Sequence, residues 1–192
     1  EFEIIVGLMA FSTFSGLILS YRMEKTMPVG SKEKFHWNLF KDTWLSYRKI
    51  TENKKIKNNI HAISWFWAMG IVYTTQLPVF TQIYMGGCAH VFSILLAVFS
   101  ISIGLGSLTC AKISDGKIVK QFVIFGAIGI AFFSMILIGF NFHPHDHCLG
   151  LAEFSSSWHG VVNYVLIFMI GFSAGFYSVT CYNELQVISP IE

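Results

Sequence analysis

Polar side chains cluster inside one long apolar stretch, where Thr74, Thr75 and Gln76 are followed by Pro78. A proline leaves the backbone carbonyl one turn earlier without its hydrogen bond and kinks a helix. Polar groups in an apolar environment usually face a bundle interior or a wet cavity, where a ligand can reach them. We therefore predict that Gln76 and Thr75 bind a substrate. The alternative is that they hydrogen-bond neighbouring helices.

Imidazoles form a second group that could do chemistry, because His143, His145 and His147 alternate beside Asp146 and Cys148. Alternation places side chains on one face of an extended segment, and imidazole suits zinc, copper or nickel. A proline interrupts the group, and the H-E-x-x-H and C-x-x-C spacings of stronger metal sites do not occur in the sequence. We predict no catalytic residue and no resident metal. A membrane enzyme that uses a metal at this cluster, with His159 nearby, is an alternative.

The chain that must position these groups is strongly apolar. Of its 192 residues, 54% are hydrophobic and 12% are charged, about half the charged share of a soluble domain. The net charge of +2 gives no basic field for nucleic acid, so we predict no nucleic-acid partner. Stretches of about 20 apolar residues are long enough to cross a bilayer. We predict an all-α, polytopic transmembrane helix bundle with five spans, at Ile4–Tyr21, His61–Tyr84, Val91–Ala111, Val119–Phe140 and Gly160–Tyr182.

The basic residues predict the orientation of this bundle. All 13 Lys and Arg lie in residues 22–59 or 112–120, two segments that five alternating spans place on one side. The opposite loops, residues 85–90 and 141–159, contain none. The positive-inside rule therefore places residues 22–59 and 112–118 in the cytosol and the N-terminus outside. Cys88 and Cys148 then share the external side, where a disulfide is allowed, and whether they form one is left open.

The long basic segment carries aromatic residues at helical spacing, since Trp37, Phe40, Trp44 and Tyr47 follow one another at intervals of three, four and three. This pattern predicts a basic amphipathic helix. Two interpretations stay open: a connecting helix that covers the cytosolic ends of the bundle, or a helix that recognises lipid headgroups at the inner leaflet.

The start of the chain does not have the form of a signal peptide. It opens Glu1-Phe2-Glu3, without an initiator Met and without the positive region of such a peptide. Five spans also leave the two termini on opposite faces. We therefore expect a fragment of a longer transporter-like protein.

The turn at residues 104–118 places small residues, a glycine turn and basic residues at the membrane edge. It resembles the signature loop that major facilitator transporters carry after the second helix of each six-helix half. The acidic residue that usually stands four positions after the signature glycine is replaced by Cys110. The resemblance implies a cytosolic gating loop formed by Gly106, Lys112, Asp115, Gly116 and Lys117.

Further motifs resemble the lysophospholipid transporter branch of this superfamily. The run Gly-Ser-Leu-x-Cys-x-Lys-x-Ser begins at Gly106, and other motifs follow at matching spacing. Thr180 stands where the branch usually has Pro. Similar stretches are Trp37–Trp44, Ile63–Trp67 with Tyr73, Thr75–Pro78 and Phe80, and Gly175–Tyr177 with Val179, Tyr182, Gln186 and Ser189–Pro190. Trp67 and Tyr73, which belong to these motifs, complete the predicted substrate-binding set with Thr75 and Gln76.

The resemblance implies a partial major facilitator fold that comprises helices six to ten of twelve. Residues 1–21 are then the last helix of the N-terminal half and residues 22–59 the cytosolic linker with its amphipathic helix. Residues 60–192 are the first four helices of the C-terminal half. The partners implied are the missing N-terminal and C-terminal transmembrane helices, membrane lipids and lysophospholipid. A fused or separate acyltransferase is left open.

The function implied is transport of a lysophospholipid, such as lysophosphatidylethanolamine, across a bacterial inner membrane for re-acylation, with no cofactor. The Phe-rich spans offer an apolar wall for the single acyl chain. One alternative is a major facilitator efflux transporter of amphipathic compounds, and another is the anchoring half of a fused acyltransferase. Headgroup preference, coupling ion and oligomeric state are not determined by the sequence.

Overall fold

The computed structural model describes residues 2–22, 39–115, 120–141 and 148–188. These residues form seven helices: α1 (Phe2–Tyr21), α2 (Leu39–Glu52), α3 (Lys54–Ile83), α4 (Ala89–Ser114), α5 (Gln121–Phe140), α6 (Leu151–Ser156) and α7 (Trp158–Ile188). The all-α prediction is therefore confirmed for the described part of the chain. Helix α1 is a compact unit by itself, and α2 to α7 form a second unit.

Three of the described helices, α4, α5 and α7, are long and apolar enough to cross a membrane. This length and composition fit a multi-pass membrane protein. In α1 the uninterrupted run of described side chains is the apolar stretch Met9–Tyr21, and α3 interrupts its apolar residues with Thr74, Thr75 and Gln76. Membrane crossing by α1 and α3 stays a prediction.

Helix α7 lies at the centre of the second unit, where it packs against α3, α4, α5 and α6. Glycine allows α4 to come close, since a Cβ on Gly175 would lie 2.5 Å from the carbonyl oxygen of Ile103. On the α5 side, a Cβ on Gly126 would lie 2.8 Å from the carbonyl oxygen of Ser173. Gly175 and Gly126 thus allow close helix packing, as expected of small residues in membrane bundles.

An apolar core fills one end of this unit, near the loop that joins α3 and α4. Met85, Val91, Leu95 and Phe154 have no exposed surface there. The core consists of Leu77, Met85, Val91, Leu95, Leu137, Phe154, Leu166, Ile167 and Ile170.

A disulfide between Cys88 and Cys148 closes the same end and settles the pairing that the sequence left open. Two backbone hydrogen bonds support it: Leu149 N–H donates to the Gly86 carbonyl at 2.7 Å, and Cys88 N–H donates to the Leu149 carbonyl at 3.1 Å. Gly86 has a φ of 69°, a conformation that a residue with a Cβ rarely adopts. The loop after α3 and the segment before α6 are therefore joined covalently and by hydrogen bonds.

The opposite end of the unit is held by polar contacts. The side-chain amide of Asn59, on α3, donates to the Cys181 carbonyl of α7 at 2.9 Å. The ammonium of Lys120, before α5, lies 3.0 Å from a carboxylate oxygen of Glu184, on α7. The start of α3, the start of α5 and the end of α7 are thus neighbours, as alternating helices require.

Candidate functional site

Helix α3 is separated from the rest of the bundle over its middle turns by an apolar cavity of about 410 Å³. The wall contributed by α3 includes Phe66, Trp67, Gly70 and Tyr73. The facing wall comes from three helices and includes Phe99, Ile103, Ile130, Ile170, Ala174, Ser178 and Tyr182. The lining residues carry no ionisable carboxylate, ammonium or guanidinium, so this space suits an apolar group.

A second cavity, of about 270 Å³, lies between α3 and α5. Gln76, Leu77 and Phe80 line it from α3, and Ser134 and Leu137 line it from α5. Met69 and Tyr73 border both cavities. The two spaces therefore lie side by side along α3, with the Tyr73 ring at their boundary.

Hydrogen bonds bridge α3 to its neighbours at both cavities. The indole N–H of Trp67 donates to the Tyr182 hydroxyl on α7 at 2.7 Å. The Tyr73 hydroxyl is hydrogen-bonded to the hydroxyl of Ser134 on α5. These contacts place polar atoms at the edges of apolar cavities, where they can meet the polar end of an amphipathic ligand.

The four predicted substrate-binding residues separate into two groups. Trp67 and Tyr73 line the larger cavity, and Tyr73 and Gln76 line the smaller one. The Thr75 hydroxyl donates within its own helix, to the Ile71 carbonyl at 2.8 Å, and Thr75 lines neither cavity. The structure thus brings three of the four residues to the cavities. Their role in binding stays a prediction.

The predicted gating loop is described in part. Gly106 lies buried in α4 against the backbone of Phe172 on α7. Lys112 is exposed near the end of α4, and Asp115 follows it in the left-handed conformation, with φ of 47°. Gly116 and Lys117 lie outside the described residues. The described part is a helix end whose glycine sets the distance between α4 and α7.

Cys110 is buried at the crossing of α4 and α7. Its Sγ lies 3.5 Å from the hydroxyl of Thr180 on α7. The Thr180 hydroxyl itself donates to the Phe176 carbonyl at 2.8 Å. A carboxylate at position 110 would be buried against the Phe176 carbonyl and the Thr180 hydroxyl, and burial of a charge without a cationic partner is costly. The side chains of Cys110 and Thr180 therefore touch each other across the α4–α7 crossing.

The imidazole cluster falls largely outside the described residues, since positions 142–147 are not described. Cys148 is in the disulfide, so its thiolate is not available to a metal. His159 stacks on Phe140 with ring centroids 4.9 Å apart and lies 3.3 Å from the side-chain nitrogen of Asn163. Within the described ranges, no three His, Cys, Asp or Glu residues group closely enough to hold a metal.

Sequence reasoning missed a buried amide pair near this end of the bundle. Asn163 on α7 is fully buried, and Asn141, at the end of α5, is 2% exposed. The side-chain nitrogen of Asn141 donates to the Asn163 side-chain oxygen at 2.8 Å, and the reciprocal contact measures 3.2 Å. The signal available in the sequence was Asn163, a single amide within an apolar stretch. A buried amide needs a hydrogen-bond partner, so its presence there predicts a second polar group nearby.

Comparison of the chain with protein-family models, curated proteins and solved structures finds no significant match.

Proposed function

We propose that this chain is part of a secondary transporter that moves lysophospholipid, such as lysophosphatidylethanolamine, across a bacterial inner membrane for re-acylation. In this proposal it supplies helices six to ten of a twelve-helix major facilitator bundle, and α2 belongs to the linker between the two halves. No catalytic residue and no cofactor are assigned to it.

The observation that carries the proposal is the apolar cavity of about 410 Å³ beside α3. A lysophospholipid has a single acyl chain and a polar headgroup, so its site needs a long apolar wall with polar atoms at the edge. Phe66, Phe99 and Ile170 supply apolar wall, and the Trp67–Tyr182 hydrogen bond supplies polar atoms at the border. Charged headgroup contacts would come from the half of the transporter that this chain does not contain.

The packing of the motif glycines is a second support. Gly106 and Gly175, which belong to two separate motifs of the resemblance, both lie at the crossing of α4 and α7. Close backbone contact there makes α4 and α7 one stiff pair. Alternating access in such transporters rocks one such unit against another around a central site.

The ends of the bundle support the proposed orientation. Lys112 and the ion-paired Lys120 are at the end where α4 finishes and α5 begins, and the disulfide is at the opposite end. Basic residues favour the cytosolic side of a membrane, and disulfides persist in the oxidising periplasm. Both preferences favour the same orientation, with residues 112–118 inside and Cys88 outside.

An efflux transporter of amphipathic compounds is the second candidate, because the larger cavity has an apolar wall that does not distinguish an acyl chain from another apolar group. The membrane enzyme with a metal at the imidazole cluster loses one of its ligands, since Cys148 is oxidised.

The test is transport by the full-length protein in vesicles. Labelled lysophosphatidylethanolamine should move between leaflets, and a diacyl lipid should neither move nor compete. Gly70→Leu should slow this movement by about tenfold or more, because the new side chain projects into the larger cavity. Gly104→Leu is the matched control: the same change in a membrane helix, at a glycine with open space around it among the described residues.

Three results would contradict the proposal. Equal movement by Gly70→Leu and Gly104→Leu would remove the cavity from the transport route. Movement of a cationic amphipathic drug, with no movement of the lysolipid, would favour the efflux candidate. Absence of movement of either compound, in vesicles where the protein is inserted and folded, would leave the cavity without a cargo.

A further inference from the structure

Helix α2 presents an aromatic face that the rest of its unit does not cover. Phe40 is 91% exposed, Trp44 67% and Tyr47 49%. The Trp44 and Tyr47 rings lie 5.9 Å apart, and with Thr43 they border one shallow surface depression. The helix contacts α3, and these three aromatic side chains remain exposed. This exposure favours the interpretation of α2 as a lipid-binding helix over its interpretation as a cover for the ends of the bundle.

Basic residues flank the aromatic face. Arg48 on α2 and Lys54, Lys55 and Lys57 on the first turn of α3 are all exposed. Residues 41–57 contain six Lys or Arg against two acidic residues. An exposed aromatic face beside an excess of positive charge is complementary to a surface that is apolar below and anionic above.

The position of α2 in the fold brings it to the end of the candidate spans. Asn53 caps α3 by accepting from the backbone N–H of Lys55 at 3.0 Å, so α2 and α3 meet at a single residue. Six residues into α3, Asn59 hydrogen-bonds the Cys181 carbonyl near the end of α7. The junction of α2 and α3 is therefore next to the end of α7, where a membrane-crossing helix leaves the bilayer.

We infer that α2 is a membrane-surface anchor whose aromatic face inserts among the headgroups of a bilayer containing anionic lipid. Trp and Tyr favour this interfacial layer because their rings are apolar and their polar atoms reach water. Arg48 and the lysines at the start of α3 contact lipid phosphates, which attract juxtamembrane basic segments. The inference goes beyond the proposed transport and holds for any cargo.

The test measures the contact of α2 with lipid in the full chain. Phe40→Cys and Glu52→Cys, each in a chain with Cys110→Ser and Cys181→Ser, carry an environment-sensitive fluorophore. The proteins are reconstituted in vesicles of phosphatidylcholine and phosphatidylglycerol, a part of which is brominated near the headgroup. We expect at least about threefold stronger quenching at position 40 than at position 52, which lies on the same helix outside the aromatic face.

The lipid charge gives a second comparison. Vesicles of phosphatidylcholine alone should lower the quenching at position 40, because the basic residues then lose their anionic partners. Unequal quenching that does not respond to lipid charge would overturn the role of the basic residues.

Two other outcomes would overturn the anchor as a whole. Equal quenching at positions 40 and 52 is one. The other outcome is that a fluorophore at position 40 is quenched neither by aqueous iodide nor by the brominated lipid. Another protein segment, and not the bilayer, would then cover the aromatic face. If the labelled chains do not fold, the native side chains give the same measurement: Trp44→Phe should remove a lipid-quenched part of the tryptophan emission, and an unchanged quenched fraction contradicts the anchor.

Discussion

Helix α7 packs in two different ways on its two sides. Towards α4 and α5, glycines bring backbones together, as where Gly175 meets the backbone of Ile103 and Ser107. Towards α3, contact is made by side chains, including the stacked rings of Phe66 and Tyr177 with centroids 5.4 Å apart. The larger cavity lies on this side, lined by residues of α3 and α7 among others. The comparison teaches that small residues on one side of a helix build a close pair, whereas aromatic residues on the other side leave space between the helices.

The largest expected effect comes from breaking the glycine side. In Gly106→Leu the new side chain meets the backbone of Phe172, which cannot give way as a flexible side chain can. We expect a loss of about 3 kcal/mol or more of unfolding free energy, or failure to assemble. Thermal unfolding of the purified protein in detergent measures this. Gly104→Leu, two residues earlier in open space, should unfold near the wild-type temperature, and equal losses in the two variants would contradict the comparison.

The disulfide tests how the C-terminal end of α3 is held. Replacing Cys88 and Cys148 by Ser should lower the unfolding free energy by about 2 to 3 kcal/mol, because the link closes a loop of 60 residues. Thermal unfolding with and without a reducing agent checks the prediction. The reductant should lower the stability of the wild type to that of the double variant and leave the double variant unchanged. If the unfolding temperature of the wild type does not change although its disulfide has been reduced, the apolar core alone stabilises this end of the bundle.

The buried amides test the α5 side at the same end of the bundle. Asn163→Ala leaves the buried side-chain oxygen of Asn141 without the donor that Asn163 supplies and should cost about 1 to 2 kcal/mol. Replacing both residues by Leu removes the unsatisfied amide, so the double variant should recover part of the loss. Chemical unfolding of the three proteins measures the difference. A double variant as unstable as the single one would contradict the assignment of the cost to an unpaired amide.

The smallest effect is expected at the α3 side. Trp67→Phe removes the indole donor to Tyr182 and should cost about 1 kcal/mol, while the aromatic wall of the cavity is kept. Trp65→Phe is the control, because Trp65 is 68% exposed on the same helix. Unfolding in detergent compares the two variants. A larger loss at position 65 than at position 67 would contradict the importance of the bridge.

Hydropathy predicted the long helices α3, α4, α5 and α7, but it placed their ends less accurately. The stretch Gly160–Tyr182 lies inside α7, which extends further at both ends. The stretch His61–Tyr84 ends one residue beyond α3, which begins earlier, at Lys54. Apolar residues mark the part of a helix that avoids water, whereas backbone hydrogen bonding continues into polar turns such as the one beginning at Lys54. Helix α6 was missed because six residues are too few for a periodic pattern.

The candidate site was predicted only in part. Polarity and motif position led to Trp67, Tyr73 and Gln76, which line cavities. Their partners Ser134 and Tyr182 were not identified, because they lie 61 and 115 residues away in the chain. Helix pairing depends on which faces meet, and nearly uniform apolar faces carry little information about their partner. The disulfide pairing was left open because the sequence does not give the distance between Cys88 and Cys148.

The link between Cys88 and Cys148 also bears on how the chain is put into a membrane. Both α4 and α5 lie between the two cysteines, so the sulfur atoms can meet only after this whole helical hairpin has been threaded and returned. A chain stalled during synthesis after α4 would carry a free thiol at position 88. Trapping of thiols during translation would therefore date the completion of the hairpin, and the oxidised bond is a chemical record that α4 and α5 have been inserted.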